Sequence, residues 1–259
     1  MKRYLRDLAR RRDLLVYLVT SGLKAQHRAS VLGYFWWLLD PLLGVALYYF
    51  IVVEVFGREG GAKYGMHLVI GMIAWRWIGS TVQGASKSVM AQAGVITQVY
   101  LPKAIFPVGA ALTQLFNFGF GLVVIAIFAV ACRVMPGSDL LWLPVIVTTQ
   151  LLFLIALSLP LAYCAVFFRD IETLSGHALR VWFFASPVIW TEDRVRPTMP
   201  WLLDWNPAAH LLGAYRSVLL ERTAPDFAAL GAIAVASTAV IFGVLLRYSR
   251  TEHRLVKAL

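Results

Sequence analysis

Charge is scarce in this sequence. Only 15% of its 259 residues are charged, 59% are hydrophobic, and the mean hydropathy is +0.70. Soluble domains run nearer a quarter charged and about half apolar, so this composition does not fit an ordinary water-soluble enzyme. Cysteine is nearly absent. Cys132 and Cys164 both sit in apolar sequence with no CxxC spacing and no neighbouring histidine, which argues against a disulfide scaffold or a cysteine metal centre and leaves them as packing residues. No segment reads GxxxxGK[ST], so the chain lacks the usual phosphate loop for ATP. The five histidines, at 27, 67, 177, 210 and 253, show no HExxH or paired-carboxylate pattern and read as structural, with no metal site. Ser86 and Lys87 are neighbours, but adjacent residues diverge on a helix and no GxSxG surrounds them. No catalytic constellation is left, and nothing calls for nucleic acid.

What the sequence has is long apolar runs, at 34–56, 67–89, 104–131, 140–168, a short one at 178–190, and 227–246. They lack strand alternation, and helices satisfy their own backbone hydrogen bonds in lipid, so the expected fold is all-α: a single polytopic domain over 1–259 with six membrane helices. The excess of 24 Lys and Arg over 14 Asp and Glu sorts by side. With the N-terminus cytoplasmic, the inner segments (1–33, 87–103, 169–180, 247–259) hold 16 basic against 5 acidic residues, and the outer ones (57–66, 132–139, 191–226) hold 7 of each. The positive-inside rule then places both termini in the cytoplasm, and the basic inner face suits anionic membrane lipid. The arginine-rich 1–12 leads into only ten apolar residues, 14–23, without a small-residue cleavage site, and reads as a retained segment. Residues 13–29 place Leu14, Leu15, Leu18, Val19 and Leu23 on one face, as an interfacial amphipathic helix would. The 191–226 segment, interrupted by Pro197, Pro200 and Pro207, reads as short re-entrant helices at the outer face, or else as a surface loop.

Polar residues inside apolar runs are the remaining lead, because a charge at mid-bilayer costs about 2.5–3.5 kcal/mol. Arg76, between Trp75 and Trp77, lies deep in the second run. Two readings stand: a structural ion pair with Glu54 or Asp40, or a cation facing a hydrated pathway with tryptophans as stacking surfaces. Gln114 and Asn117 are one turn apart and suit interhelical hydrogen bonds. The aromatics Tyr34, Phe35, Trp36, Trp37, Tyr48, Tyr49 and Phe50 can form interfacial belts or a surface for sugar rings.

Five motifs in order carry a resemblance. Arg28-Ala29-Ser30-Val31-Leu32-Gly33-Tyr34-Phe35-Trp36-Trp37-Leu38-Leu39-Asp40-Pro41 enters the first span, and Val99-Tyr100-Leu101-Pro102-Lys103-Ala104-Ile105-Phe106-Pro107 follows the second. Phe167-Phe168-Arg169-Asp170-Ile171 follows the fourth, Ser186-Pro187-Val188 lies in the short fifth, and Asn206-Pro207 precedes Arg216. Together these span nearly the whole chain, which resembles the membrane subunits of bacterial polysaccharide-exporting ABC transporters, in particular those for O-antigen.

The resemblance implies a homodimeric permease in the bacterial inner membrane. Each copy pairs with a separate cytoplasmic ABC ATPase that binds ATP and Mg, so this chain carries no cofactor, and the cargo is a lipid-linked polysaccharide. It implies ATPase docking by the 13–29 helix and the 87–103 loop, through Arg28, Lys87, Tyr100, Pro102 and Lys103, with a smaller contact at Arg169, Asp170 and Glu172. Pro102 and Pro107 would bracket a short transmitting helix. Residues 197–221, with Trp201, Asn206, Pro207 and Arg216, would form the outer gate. The pathway would run between the copies, lined by Tyr34, Trp36, Trp37, Tyr48 and Tyr49, with Trp75, Arg76 and Trp77 beside them. Arg76 departs from the family, where an aromatic or apolar residue is usual. The same fold could export capsule, teichoic-acid polymer or a small lipophilic compound. A membrane-embedded transferase on lipid-linked sugars would need converging carboxylates or histidines, and a lone ion-coupled transporter would need a larger chain or repeats. Alanine at Arg76 is expected to lower export while Glu54→Gln leaves it unchanged; equal loss in both would favour the ion pair.

Overall fold

The computed structural model describes residues 11–26, 35–55, 57, 61–96, 101–134 and 137–258. Arg28, Tyr34 and Tyr100 lie outside them. The described residues form helices and turns, with no strand among them. The long elements are α1 (Arg12–Gln26), α2 (Trp36–Phe50, extended by a wider turn at Ile51–Val55), α3 (Ala62–Ser88), α4 (Ile105–Ala131), α5 (Leu143–Phe167), α6 (Ile171–Ala185), α7 (Pro207–Arg216, extended by a wider turn at Ser217–Glu221) and α8 (Phe227–Ala258). Short helical turns at Met90–Gln92, Ala93–Ile96, Ser138–Trp142, Glu192–Val195 and Trp201–Asp204 fill the connections.

Among the described residues, four segments are long and apolar enough to cross a bilayer: Leu38–Val55, Ile105–Ala131, Ser138–Phe167 and Phe227–Glu252. The chain is therefore an all-helical, multi-pass membrane protein. Helix α3, with 27 residues, is about 40 Å long but more polar. It sits at the centre of the bundle, packed against α2, α4, α5, α6 and α7, and buries most positions from Gly65 to Ser86, with Arg76 and Gln83 exposed. Its neighbours enclose the polar side chains of His67, Thr81 and Ser86, which dilute its hydropathy. Large side chains such as Val130, Leu141, Val235 and Phe242 are instead exposed on the outside of the bundle, as lipid contact requires.

Three boundaries differ from the apolar-run reading. Helix α6 begins at Ile171, not near 178, because Ser175, Leu179 and Phe183 bury one side of it at four-residue spacing. A stripe of this kind escapes a search for uninterrupted apolar residues. Helix α8 continues to Ala258, past the expected inner edge at 246. Pro102 and Pro107 do not bracket a separate short helix. Pro102 closes a turn with Ile105 N donating to its carbonyl at 3.0 Å, and Pro107 falls in the first turn of α4, where a missing N–H costs nothing.

A second apolar cluster lies at the cytoplasmic end expected from the charge bias. It joins Val89, Ile96, Leu101, Ala104, Ile105 and Phe106 to Leu159, Ala162 and Val166 of α5 and to Leu245, Tyr248 and Leu255 of α8, with Leu14, Leu15 and Leu18 of α1 against it. The amphipathic face of α1 therefore packs on protein, and a Cβ added at Gly109 of α4 would lie 3.3 Å from Leu18 Cβ.

Close approach of α3 and α4 depends on Gly121, where an added Cβ would fall 2.5 Å from Ile73 Cγ2. Ile73 is buried and β-branched, so it cannot swing aside. Gly121→Ala is expected to cost about 1–3 kcal/mol, as overpacking does. Gly119→Ala on the same helix, with nothing within 4 Å, should cost nothing. Thermal midpoints of the detergent-solubilised variants check this.

Candidate functional site

Arg76, Gln114 and Asn117, the polar residues singled out in the apolar runs, meet in one cavity. Trp36, Asp40 and Pro41 of α2, Ile73, Arg76, Trp77 and Ser80 of α3, and Gln114, Asn117, Phe118 and Gly121 of α4 enclose about 290 Å³. The Arg76 guanidinium makes an ion pair with the Asp40 carboxylate, both half exposed. Of the two partners open to Arg76, the structure selects Asp40. Glu54 lies in the Ile51–Val55 turn and is exposed, so Glu54→Gln leaves the pair intact, and Asp40 is the residue to test. Asn117 Nδ2 donates to Gln114 Oε1 at 2.9 Å along α4, and this amide pair faces the same cavity. Trp77 stacks on Phe118 with ring centroids 4.4 Å apart, and its buried indole Nε1 has no hydrogen-bond partner. Aromatic faces, an amide pair and a guanidinium–carboxylate pair around one cavity can hold the hydroxyls and ring faces of a sugar.

Trp75, Tyr48 and Tyr49 do not line this cavity. Positions two apart on a helix do not face each other, so Trp75 leaves Trp77 and packs edge-on against Trp182 (5.4 Å) and Phe183 (5.6 Å) of α6, where Tyr48 also meets Phe183 at 5.7 Å. Tyr49 lies against Gly65. Trp37 is part of α2.

The outer motif residues converge on the 186–190 turn. Asn206 caps α7 and uses its whole amide. Its Oδ1 accepts from Ala208 N (3.0 Å) and Trp182 Nε1 (2.9 Å), and its Nδ2 donates to Ser186 Oγ (3.0 Å) and the Ala185 carbonyl (3.2 Å). Pro207 takes the first helical position. At the other end of α7, buried Arg216 donates from Nη2 to the carbonyls of His67 (3.4 Å) and Val188 (3.3 Å). Tyr64 donates to the Ile189 carbonyl at 2.9 Å. Gly71 makes this fit possible, since an added Cβ would lie 2.7 Å from Arg216 Nη2 and 2.9 Å from the Val188 carbonyl oxygen. Burial lowers the Arg216 pKa to about 10, against the pull of Glu192 and Glu221, so it stays a cation at neutral pH. Beside it an open basin of about 860 Å³ is lined by Lys63, Glu192, Asp193, Arg196, Asp204 and Glu221 among others. Trp201 is exposed, as is Trp205, which sequence reasoning did not single out.

At the inner end, Lys87 Nζ lies 2.8 Å from Glu172 Oε1, so the two expected ATPase contacts, the 87–103 loop and the Arg169–Glu172 corner, adjoin. Arg169 and Asp170 are exposed; Pro102 is buried. The Lys103 side chain is buried and turned inward, with Nζ 3.4 Å from Glu252 Oε1 on α8. Removing one partner of a buried pair strands the other charge, which typically costs about 3–5 kcal/mol. Alanine at Lys103 would therefore damage folding before it reported on docking. Glu252 was missed because a lone acid in a basic tail gives no sign of a partner 149 residues away.

The architecture is that of a helical membrane transport subunit. The model of the ABC-2 type transporter family matches residues 13–220, and the chain belongs to that family. Such subunits are not enzymes; their ATPase is a separate chain. The chain is 30% identical over 244 residues, 93% of its own length and 94% of the relative's, to the O-antigen export system permease protein RfbA of Myxococcus xanthus. It is 27% identical over 212 residues, 82% of each chain, to the protein of that name from Klebsiella pneumoniae.

If Arg76 served only to pair with Asp40, removing both charges would restore everything. The expected outcome is that Arg76→Met and Asp40→Asn each lower the amount of protein in the membrane, and that the double variant recovers the protein but not transport. Immunoblots of membranes alongside a transport assay check this.

Proposed function

We propose that this chain is the permease subunit of an ATP-driven exporter that moves a lipid-linked, O-antigen-type polysaccharide outward across the bacterial cytoplasmic membrane. The observation that carries this reading is the match over nearly the full length of the chain to a permease named for O-antigen export. The cavity of Trp36, Arg76, Trp77, Gln114 and Asn117, suited to sugar hydroxyls and ring faces, supports it independently.

In this reading two copies pair and each binds one cytoplasmic ATPase, which holds ATP and Mg. Six helices, α2 to α6 and α8, cross the membrane, and both termini are cytoplasmic. The 16-to-5 basic excess on the inner segments supports that orientation. Helix α6 is short, about 22 Å, and crosses together with the 186–190 turn. The segment 87–103 and α1 receive the ATPase, with Arg169 and Asp170 at the edge of the contact. Closure of the ATPase pair on ATP moves the inner ends of α3 and α4, and rigid helices carry the motion outward. There α7 and its neighbours form a re-entrant gate, in which Arg216 and Asn206 hold the closed arrangement against the 186–190 turn. Arg76 faces the sugar path between the copies. Because the fold sets the mechanism and the lining sets the cargo, capsule or teichoic-acid polymers are the nearest other substrates.

The test is complementation. In a bacterium deleted for its own O-antigen exporter, expression of this chain with its ATPase is expected to restore surface polysaccharide and to bring down the ATPase with the purified permease. Persistent intracellular accumulation of the lipid-linked polymer, despite an assembled complex, would contradict the substrate; failure to assemble with an ATPase would contradict the class.

A further inference from the structure

The last helix does not end where its apolar run ends. Beyond Leu245 it buries Tyr248, Thr251, Glu252 and Leu255, at the spacing of one helical stripe, against the inner end of the bundle. Tyr248 OH donates to the Leu159 carbonyl at 3.0 Å, and Thr251 Oγ1 lies 3.0 Å from Tyr163 OH, which fixes α8 to α5. Glu252 reaches the other way. One oxygen of its carboxylate accepts from the backbone N–H of Lys103 at 3.1 Å and lies 3.4 Å from Lys103 Nζ. That backbone amide precedes α4, so it lacks an intrahelical acceptor and takes a charge-assisted bond from another helix instead. Both side chains are almost fully enclosed, and their chain neighbours Leu101, Ala104 and Leu255 belong to one apolar cluster. A buried ion pair of this kind has few alternative arrangements, since separating its members inside an apolar cluster leaves each uncompensated. The loop end at Lys103 and the end of α8 must therefore move together.

We propose that the cytoplasmic end of α8 is part of the device that transmits ATPase motion, with Glu252 a positioning residue that clamps the 87–103 segment to the last membrane helix. The clamp splits the input: α4 is driven directly, being continuous with the Lys103 turn, and α8 is driven through the carboxylate. This rests on the reading that 87–103 receives the ATPase.

The experiment uses the full permease–ATPase complex in membranes, with a photo-crosslinking residue at Ala91, which is exposed on the same segment. Glu252→Gln removes the charge while keeping an acceptor, and Lys103→Met keeps the stem while sparing the backbone bond. The readouts are the crosslink to the ATPase, the amount of complex, and export per ATP hydrolysed. The expected result is a retained crosslink and, because each single variant strands one buried charge, less complex in either single variant than in the double one, with export per ATP by the complex that remains lower by about tenfold in either single variant and no lower in the double variant, as for two residues acting as one unit. A retained crosslink with export per ATP unchanged in both variants, or lowered only as far as the amount of complex falls, overturns the clamp alone. No crosslink in the parent complex overturns the docking reading, and the clamp with it.

Discussion

A cation set into an apolar bundle must bring its partners with it, and this constraint organises the bundle at three places. Beside the 186–190 turn Arg216 takes backbone carbonyls from α3 and from that turn, so one side chain ties three separate segments. Midway along α3, Arg76 takes Asp40 and ties α3 to α2. At the opposite end of the bundle Lys103 takes Glu252 and ties the start of α4 to the end of α8. Apolar packing alone would let these helices slide in a lipid environment that is as apolar as their side chains. The polar ties fix which helix meets which, and they are also the joints that a transport cycle has to work.

The three ties differ in what surrounds them. The Arg216 and Lys103 sites are closed, and both side chains are buried. The Arg76–Asp40 pair is half exposed on a cavity with aromatic and amide walls. That difference separates the parts suited to holding shape from the part open to a ligand. Position 76, between two tryptophans in an apolar helix, carries a charge that stays half exposed.

The apolar runs located α2, α4, α5 and most of α8 from sequence, because a lipid-facing helix is nearly uniform in character. Helix α3 was legible for the same reason despite Arg76. The elements that escaped are those whose burial comes from protein on one side only. Half of α6 hid in an expected loop because Ser175, Leu179 and Phe183 form a stripe and not a run. The end of α8 hid in an expected tail because Tyr248, Thr251, Glu252 and Leu255 alternate with exposed Arg247 and Arg250. Of the site, the resemblance marked Asn206, Pro207 and Arg216, but not that Ser186 and Trp182 share the Asn206 amide. The exposure of Lys103 was misjudged for a simple reason. A lysine after a proline turn looks solvated unless its acidic partner is known, and that partner comes from the far end of the chain.

The central claim is that the cavity beside Arg76 is met by the glycan during export. The most direct measurement places a photoreactive side chain at Ser80, on the cavity wall, and at Phe242, exposed on α8, in complexes turning over ATP with lipid-linked polysaccharide. The account predicts ATP-dependent labelling of the polysaccharide from position 80 and none from position 242. No labelling from position 80 during active export, or equal labelling from both, would contradict it.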